Sequence, residues 1–277
     1  MVTVEAAWQA RLALEYTLQG GRTTLSGREH SGPLLVQKAF YPEGDAVCHS
    51  IIVHPPGGIA GGDALKLELD LREGTAALLT TPGAGKWYRS LGPRASLAQH
   101  FDIGRGAVLE WLPQPAIVFD AARAEIRTEI RLHEEALYMG WELTCMGRTA
   151  SGERFSSGEL RQRTEVWQQG RRLWCEYARL AGDDPMLASK AGLAACTVSA
   201  TLIAAGRDIR QDLLAQCRAI APEAGEHSGI TVLPRVLLAR YLGHSSEAAM
   251  HHFTALWSLL RPQLTGRTAV PPRIWAT

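Results

Sequence analysis

The chain has 277 residues and a formal net charge of +1 with histidine neutral. This balance, without a basic tract, argues against nucleic acid or an anionic membrane as a partner. An odd number of widely spaced cysteines, with no C-x-x-C pair, argues against a disulfide framework or a closed zinc site. The first residues lack the apolar core of a signal peptide and no later run could span a bilayer, so we expect a cytoplasmic protein.

Alternating apolar and polar residues predict strands along most of the chain. The pattern is strictest where Leu65, Leu67, Leu69 and Leu71 alternate with charged residues, the period of a strand with one buried face. Clusters of Gly, Pro and Asp separate the strands and predict turns. The other predicted strands cover residues 12–18, 33–40, 46–53, 75–81, 107–112, 125–133, 136–146, 159–168, 171–180 and 196–204.

A weak internal repeat joins two of these regions. Asp70-Leu71-x-x-Gly74-Thr75 aligns with Asp102-Ile103-x-x-Gly106-Ala107, at a period of about 32 residues. A repeat of this length is typical of architectures in which similar units stack on one another. The sequence therefore predicts a mainly β fold, a many-stranded, stacked, β-helix-like scaffold over residues 1–205.

The period changes in the last quarter of the chain, where apolar residues recur every three or four positions from Ile209 to Ile220, as in a helix. Pro234 suits the first turn of a short second helix over 234–241. Ser245 is placed to cap a third helix that ends near Arg261, before Pro262. These C-terminal helices define a helical subregion, 206–277, and we expect it to form a single domain with the β scaffold.

The glycine loop, residues 54–63, is the most unusual stretch. Pro55 and Pro56 restrict the backbone, while Gly57, Gly58, Gly61 and Gly62 free it to adopt positive φ or to lie close to another segment. His54 and Asp63 bracket it with groups that can hold a cation or a proton. The glycine spacing resembles a phosphate-binding loop, but that motif requires a lysine directly after its second glycine, and this chain has Asp63 there. An elaborate turn between two strands is the alternative interpretation.

Two further segments carry candidate functional residues. Lys86, Trp87, Tyr88 and Arg89 combine cations and aromatic rings, which are enriched at protein interfaces; the alternative is a loop whose aromatic side chains pin it to the core. His244, Glu247 and His251 are spaced to share one helix face and could bind Ni²⁺ or Zn²⁺. A solvated or partner-facing helix surface is the alternative there, because His244 can precede the first helical turn.

Several motifs, taken in order, closely resemble the UreD family of urease accessory proteins, also called UreH. They are Tyr41-Pro42-Glu43-Gly44, Cys48-His49, His54-Pro55-Pro56-Gly57-Gly58-Ile59-Ala60-Gly61-Gly62-Asp63, Thr80-Thr81-Pro82-Gly83-Ala84-Gly85-Lys86-Trp87-Tyr88-Arg89-Ser90, Leu112-Pro113-Gln114-Pro115-Ala116-Ile117-Val118-Phe119-Asp120 and Gly152-Glu153-Arg154-Phe155 with Gly158. The helical end resembles the family in character rather than in motif. Pro115 departs from the family pattern, which usually has an acidic residue after Leu-Pro-Gln.

The resemblance implies a non-catalytic, largely β scaffold for urease maturation. By this resemblance the chain binds UreF, through it the GTPase UreG, and the urease apoprotein, and it carries Ni²⁺ transiently with no permanent cofactor. The residues considered for nickel transit are Cys48, His49, His54, Asp63, Glu176 and Asp183, with ordinary surface charge as the alternative for the last two. Two other hypotheses remain open at this stage: an enzyme with His54 and Asp63 as acid and base, and a stable metalloprotein that uses His244, Glu247 and His251.

Overall fold

The computed structural model describes residues 7–276. These residues form seventeen strands and two α-helices. In chain order they are β1 Gln9–Gln19, β2 Arg22–Ser31, β3 Leu35–Val36, β4 Cys48–Val53, β5 Ala64–Leu71, β6 Ala76–Thr80, β7 Gly85–Trp87, β8 Ala95–Ile103, β9 Val108–Trp111, β10 Ala116–Val118, β11 Arg123–Leu132, β12 Leu137–Met146, β13 Glu159–Gln168, β14 Arg171–Ala181, β15 Val198–Ala205, α1 Gln211–Ala219, β16 His227–Leu233, β17 Val236–Gly243 and α2 Ser246–Thr265.

The strands form two sheets. The first has the order β14-β13-β11-β8-β5-β1-β2, and the second has the order β16-β17-β15-β12-β9-β6-β4-β3, with the short β10 pairing to both β12 and β7. The central strands of both sheets are parallel, and the strands toward the edges are mostly antiparallel. The predicted mainly β, stacked scaffold with few helices is confirmed.

The internal repeat corresponds to a physical stack of strand–turn–strand units. β5–β6, β8–β9 and β11–β12 lie in parallel register, so that Leu71, Ile103 and Leu132 are neighbours on adjacent strands. Each turn needs one residue with positive φ, which is 72° at Gly74, 62° at Gly106 and 56° at Glu135. The third unit carries Glu135 in place of glycine, and this explains why the sequence shows two copies and the structure three.

Two hydrophobic cores hold the layers together. One lies between the two sheets and includes the inward-facing leucines of β5, as the alternation predicts. The other lies between the outer face of the second sheet and the helices α1 and α2. Burial of apolar surface on both faces of the second sheet explains why β6, β9 and β12 read as nearly continuous apolar runs.

The predicted helix over 234–241 is wrong: residues Val236–Gly243 form β17, which pairs with β15 and β16. Pro234 and Arg235 are the two loop residues of the hairpin between β16 and β17, and Arg235 has a φ of 62°. A proline followed by a residue with positive φ is the geometry of a tight turn. An apolar run buried on both faces has no period that separates strand from helix. The subregion 206–277 therefore contains strands as well as helices.

The other C-terminal predictions are closer. Ser245 caps α2 by accepting a 3.1 Å hydrogen bond from the Ala248 amide. The helix runs past Pro262 to Thr265. The tail then docks on the protein, because the Trp275 indole donates to Thr80 Oγ1 at 2.8 Å. No helix in the described range combines the length and apolar character needed to cross a lipid bilayer.

Candidate functional site

A cavity of about 380 Å³ lies between the two sheets, next to the glycine loop. We call it the inter-sheet cavity. Apolar side chains of the core line this cavity, and polar side chains lie among them. The polar side chains that line it are His54, Thr81, Lys86, Gln99, Gln114, Glu142, Thr144 and Gln162. At one end it is bounded by the glycine loop and by the turn over residues 82–86.

A second cavity, of about 40 Å³, continues from the first. The two share Glu142, Thr144 and Gln162 as lining residues, so they adjoin at these side chains. The smaller cavity also touches Glu176 on β14 and Thr201 on β15. Together the two cavities place polar side chains in succession between the sheets, from His54 to Glu176.

Glu142, on β12, stands where the cavities meet. Its carboxylate accepts hydrogen bonds from the hydroxyls of Thr128 at 2.7 Å and Thr164 at 3.3 Å. No basic side chain among residues 7–276 forms an ion pair with it. Burial raises the pKa of Glu142, against the opposing effect of the two hydroxyls. A partly buried carboxylate without a counter-ion is well placed to attract a cation.

Sequence reasoning missed Glu142. It lies in the strand predicted over 136–146, on the face opposite that of Trp141, so alternation assigns it to solvent rather than to the core. The sequence also does not reveal which neighbours surround the carboxylate, since Thr128 and Thr164 come from two other strands.

His54 lies at the glycine-loop end of the inter-sheet cavity. Its Nε2 is buried and has no hydrogen-bonding partner. Burial lowers the pKa of His54, and the nearby charge of Asp63 offsets this only in part. The imidazole is therefore neutral near pH 7, and a neutral imidazole can ligate a borderline metal ion.

Asp63 has a structural role at the other end of the loop. Its Oδ1 accepts from the Trp8 amide at 2.7 Å and its Oδ2 accepts from the Ala60 amide at 2.8 Å. These bonds close the loop and tie it to β1. The structure shows no hydrogen bond between Asp63 and His54 in the described range, and both carboxylate oxygens of Asp63 accept from backbone amides.

The glycines allow the loop to lie flat against residues 80–90. A Cβ on Gly58 would come within 2.3 Å of the Tyr88 ring, and one on Gly61 within 2.1 Å of Ser90 Oγ. The two segments also pair through the backbone, with the Ile59 amide donating to the Lys86 carbonyl at 2.7 Å. Pro55 and Pro56 lie at the exposed turn. The loop is thus a wall of the cavity, built by close backbone packing.

The four predicted interface residues divide between core and surface. Trp87 is 2% exposed and belongs to the core between the sheets. Tyr88 packs its ring against Phe119 at a centroid distance of 5.2 Å. Lys86 and Arg89 are exposed. The core-pinning alternative therefore applies to the aromatic residues, and the cations are available for contact.

The remaining candidates for nickel transit fall in different places. Cys48 is fully buried in the core between the sheets, and burial raises the pKa of its thiol. Its neighbour His49 points to the opposite face of β4, where Nε2 lies 2.6 Å from Glu43 Oε1. Neither residue lines the two cavities. Glu176 does line the smaller one and pairs with Arg240 at 2.6 Å, whereas Asp183 is exposed in a turn outside both cavities.

The predicted metal site of His244, Glu247 and His251 does not assemble. His244 precedes the Ser245 cap, outside α2, and its amide donates to Glu226. His251 Nδ1 lies 3.7 Å from Glu223. Within residues 7–276, no group of three or more His, Cys, Asp or Glu side chains is arranged to hold a metal ion.

Comparison with known proteins assigns the family. The family model described as UreD urease accessory protein matches residues 9–276. The chain belongs to the UreD family. Three proteins named urease accessory protein UreD resemble it along nearly their whole length: that of Azoarcus sp. (strain BH72) is 50% identical over 99% of this chain and 95% of its own, that of Dechloromonas aromatica (strain RCB) 50% over 98% and 95%, and that of Methylobacillus flagellatus 48% over 98% and 95%.

This membership confirms the family that the sequence motifs indicate. The relatives carry the name of accessory proteins for urease, not that of an enzyme.

Proposed function

We propose that this UreD-family chain is a non-catalytic scaffold that helps deliver Ni²⁺ to the urease apoprotein, together with UreF and, through UreF, the GTPase UreG. The observation that carries the proposal is the pair of adjoining cavities with a partly buried carboxylate, Glu142, that has no counter-ion at their junction. Family membership supplies the context, since the relatives are named urease accessory proteins.

The polar side chains that line the cavities suit a cation that binds weakly and is then released. His54 and Glu142 offer nitrogen and oxygen donors, which Ni²⁺ accepts, and hydroxyl and amide groups lie between them. The described chain provides no cluster of three such ligands. Sparse ligands favour transit over tight storage, because each position supplies too few bonds to hold the ion.

Glu142 would be the ligand for Ni²⁺ in the middle of the path. Burial favours its neutral form when the cavity holds no cation. An approaching Ni²⁺ favours the ionised form, so that binding of the ion releases a proton and departure of the ion takes one up. This coupling keeps the uncompensated charge in the interior small at each stage.

The far end of the path is bounded by an ion pair. Glu176 Oε1 accepts from Arg240 Nη1 at 2.6 Å, and Glu176 lines the smaller cavity beside Glu142. A cation that passes this point would compete with Arg240 for the Glu176 carboxylate. Partner binding at this end could separate the pair.

The test is co-expression of urease with UreF, UreG and this chain, followed by metal analysis of the purified urease. Omission of the chain, or the Glu142→Gln variant, is expected to lower the nickel content and the activity of urease severalfold. Glu73→Gln is the matched control, because Glu73 is exposed and lies outside both cavities. Full nickel occupancy without the chain would overturn the proposal. Full nickel occupancy of urease with Glu142→Gln would contradict the part of the proposal in which nickel passes through the cavities.

A further inference from the structure

One end of the inter-sheet cavity reaches the protein surface between two segments of chain, residues 81–86 and 113–115. Both segments line the cavity along their whole length. Gly83 and Lys86 are also exposed, so this end of the cavity lies at the surface. We call residues 81–86 and 113–115 the end segments. Their separation sets the width of the cavity at this end.

Two backbone amides join the end segments to each other. The Gln114 amide donates to Thr81 Oγ1 at 2.9 Å, and the Gly85 amide donates to the Pro115 carbonyl at 2.9 Å. The first end segment also pairs through its backbone with the glycine loop. Movement of either end segment therefore alters the cavity wall and the loop that begins at His54.

The hydroxyl of Thr80 links the bases of both end segments to the C-terminal tail. Thr80 directly precedes the first segment, and its Oγ1 donates at 2.6 Å to the carbonyl of Leu112, which directly precedes the second. The same oxygen accepts from the Trp275 indole at 2.8 Å. A hydroxyl has one proton to donate, so the first bond uses it and the second uses an acceptor site. Thr80 is 1% exposed, so bulk water is not available to replace either partner.

The ring of Trp275 reaches the second end segment by another route. It packs against Trp141 at a centroid distance of 5.7 Å and against Trp257 of α2 at 6.4 Å. The Trp141 indole in turn donates to the Pro113 carbonyl at 2.9 Å. Trp275 itself lines neither cavity. It supports the bases of the end segments from the face of the second sheet that carries the helices.

The tail that carries Trp275 is held at a second point. Gly266 ends α2 with a φ of 72°, and the Arg261 guanidinium then donates to the Thr268 carbonyl. Two consecutive prolines restrict the backbone between this point and Trp275. The tail therefore presents Trp275 from a fixed base, and its side chain loses little further conformational freedom on packing.

We propose that the C-terminal tail, through Trp275, positions the end segments and so controls the passage of Ni²⁺ through this end of the inter-sheet cavity. Trp275 is a positioning residue, because it acts through Thr80 and Trp141. Loss of its contacts lets the end segments separate and moves the imidazole of His54 out of reach of a passing ion. This inference rests on the proposed function, since the position of the end segments matters to urease only if Ni²⁺ uses the cavity.

Hydrogen exchange at the Gly85 and Gln114 amides of the full-length chain tests the position of the end segments. Trp275→Phe keeps an aromatic ring but removes the indole donor, and Thr80→Val keeps the shape of the side chain but removes the hydroxyl. Each variant is expected to accelerate exchange at these two amides by about fivefold or more, because each loses hydrogen bonding at the base of the segments. Thr80→Ser retains the hydroxyl and should exchange as the wild type does.

The functional readout is the nickel content of urease activated with UreF, UreG and each variant at equal folded concentration. Trp275→Phe and Thr80→Val are expected to lower this content severalfold, and Thr80→Ser is expected to leave it unchanged. Trp167→Phe is the matched control, because Trp167 is also half-buried, lies on β13 and lines neither cavity. It should change neither the local exchange nor the nickel content.

Three results would overturn the inference. Unchanged exchange at Gly85 and Gln114 in both Trp275→Phe and Thr80→Val would show that the tail does not position the end segments. Acceleration spread evenly over the chain would show a contact that only stabilises the fold. Faster local exchange with normal nickel content, in an assay where Glu142→Gln lowers it, would show that passage does not depend on the tail. Normal nickel content with Glu142→Gln instead contradicts the proposed function, and the exchange result alone then decides whether the tail positions the end segments.

Discussion

Two inward-pointing carboxylates on neighbouring strands of the second sheet, the buried Glu110 and the partly buried Glu142, face opposite environments. Glu110 on β9 points toward the helices, where it accepts from Trp257 at 2.6 Å and from Arg261 at 3.0 Å. Glu142 on β12 points between the sheets and accepts only from hydroxyls in the described structure. The carboxylate of Glu110 has a counter-ion, and that of Glu142 lacks one.

The Arg261 cluster, made of Glu43, His49, Glu110, Trp257 and Arg261, has almost no exposed side-chain surface and joins the β scaffold to α2. Arg261 contacts both carboxylates, with Nη2 2.9 Å from Glu43 Oε1 and 2.9 Å from Glu110 Oε2. Burial alone would raise the pKa of Glu43, but hydrogen bonds from His49 and Arg261 outweigh it and lower the pKa. The comparison indicates that the paired buried charges join the β scaffold to α2, whereas the carboxylate of Glu142 has no counter-ion in the described structure.

Removal of Arg261 is the strongest test of the structural half of this comparison. Arg261→Ala leaves two carboxylates buried without a counter-ion, and we expect the free energy of unfolding to fall by about 3–5 kcal/mol. The measurement is equilibrium unfolding in urea. Arg131→Ala is the control, because its ion pair lies on the surface and its loss should cost no more than about 1 kcal/mol. A comparable effect of both variants would contradict the assignment.

His49→Ala separates the cluster from the nickel path. We expect a loss of about 2 kcal/mol from the missing packing and the missing contact to Glu43, measured by urea unfolding. Urease activated by this variant should contain normal nickel per mole when the accessory chain is supplied at equal folded concentration. A deficit in nickel that persists at matched folded concentration would return His49 to the path.

Unlike the two preceding variants, Glu142→Gln is expected to stabilise the protein at alkaline pH. Since burial raises the folded-state pKa of Glu142 above its usual 4.5, stability is fully retained below that value and falls as the pH rises toward the folded-state pKa. The glutamine variant cannot ionise, so it should be the more stable protein at about pH 8 and lose this advantage on acidification. The measurement is thermal unfolding across this pH range. A variant less stable than the wild type at every pH would indicate that Glu142 has a structural role.

The smallest expected change in stability comes from Glu159, whose carboxylate pairs with arginines near the surface of the first sheet. Burial opposes ionisation, but Arg179, Arg94 and Arg161 outweigh it and lower the pKa of Glu159 to about 2. Its contribution should be present above pH 4.5, its ordinary pKa, and be lost between there and about 2. We expect Glu159→Gln to cost about 1 kcal/mol at neutral pH and progressively less as the pH falls through about 2. A cost independent of pH in urea unfolding would rule out the ion pairs as its source.

Much of the local structure could be predicted from the sequence. Alternating leucines predict β5, the turn glycines predict the stacked units, and Ser245 predicts the start of α2. These features are local because a strand face, a positive φ and a helix cap each depend on a few consecutive residues. The family was also readable from the ordered motifs around the glycine loop.

The tertiary structure alone decided where the chemistry lies. Periodicity could not separate β17 from a helix, because its apolar run is buried on both faces. Periodicity also could not show that Arg261 lies beside Glu43 and Glu110, or that Glu142 has no counter-ion. Glu43 and Arg261, for example, are 218 residues apart in the chain. By itself the sequence determined most of the strands, many of the turns and the family, since these follow from neighbouring residues. The pairing of buried charges depends on which distant segments pack together, and only the folded chain decides that.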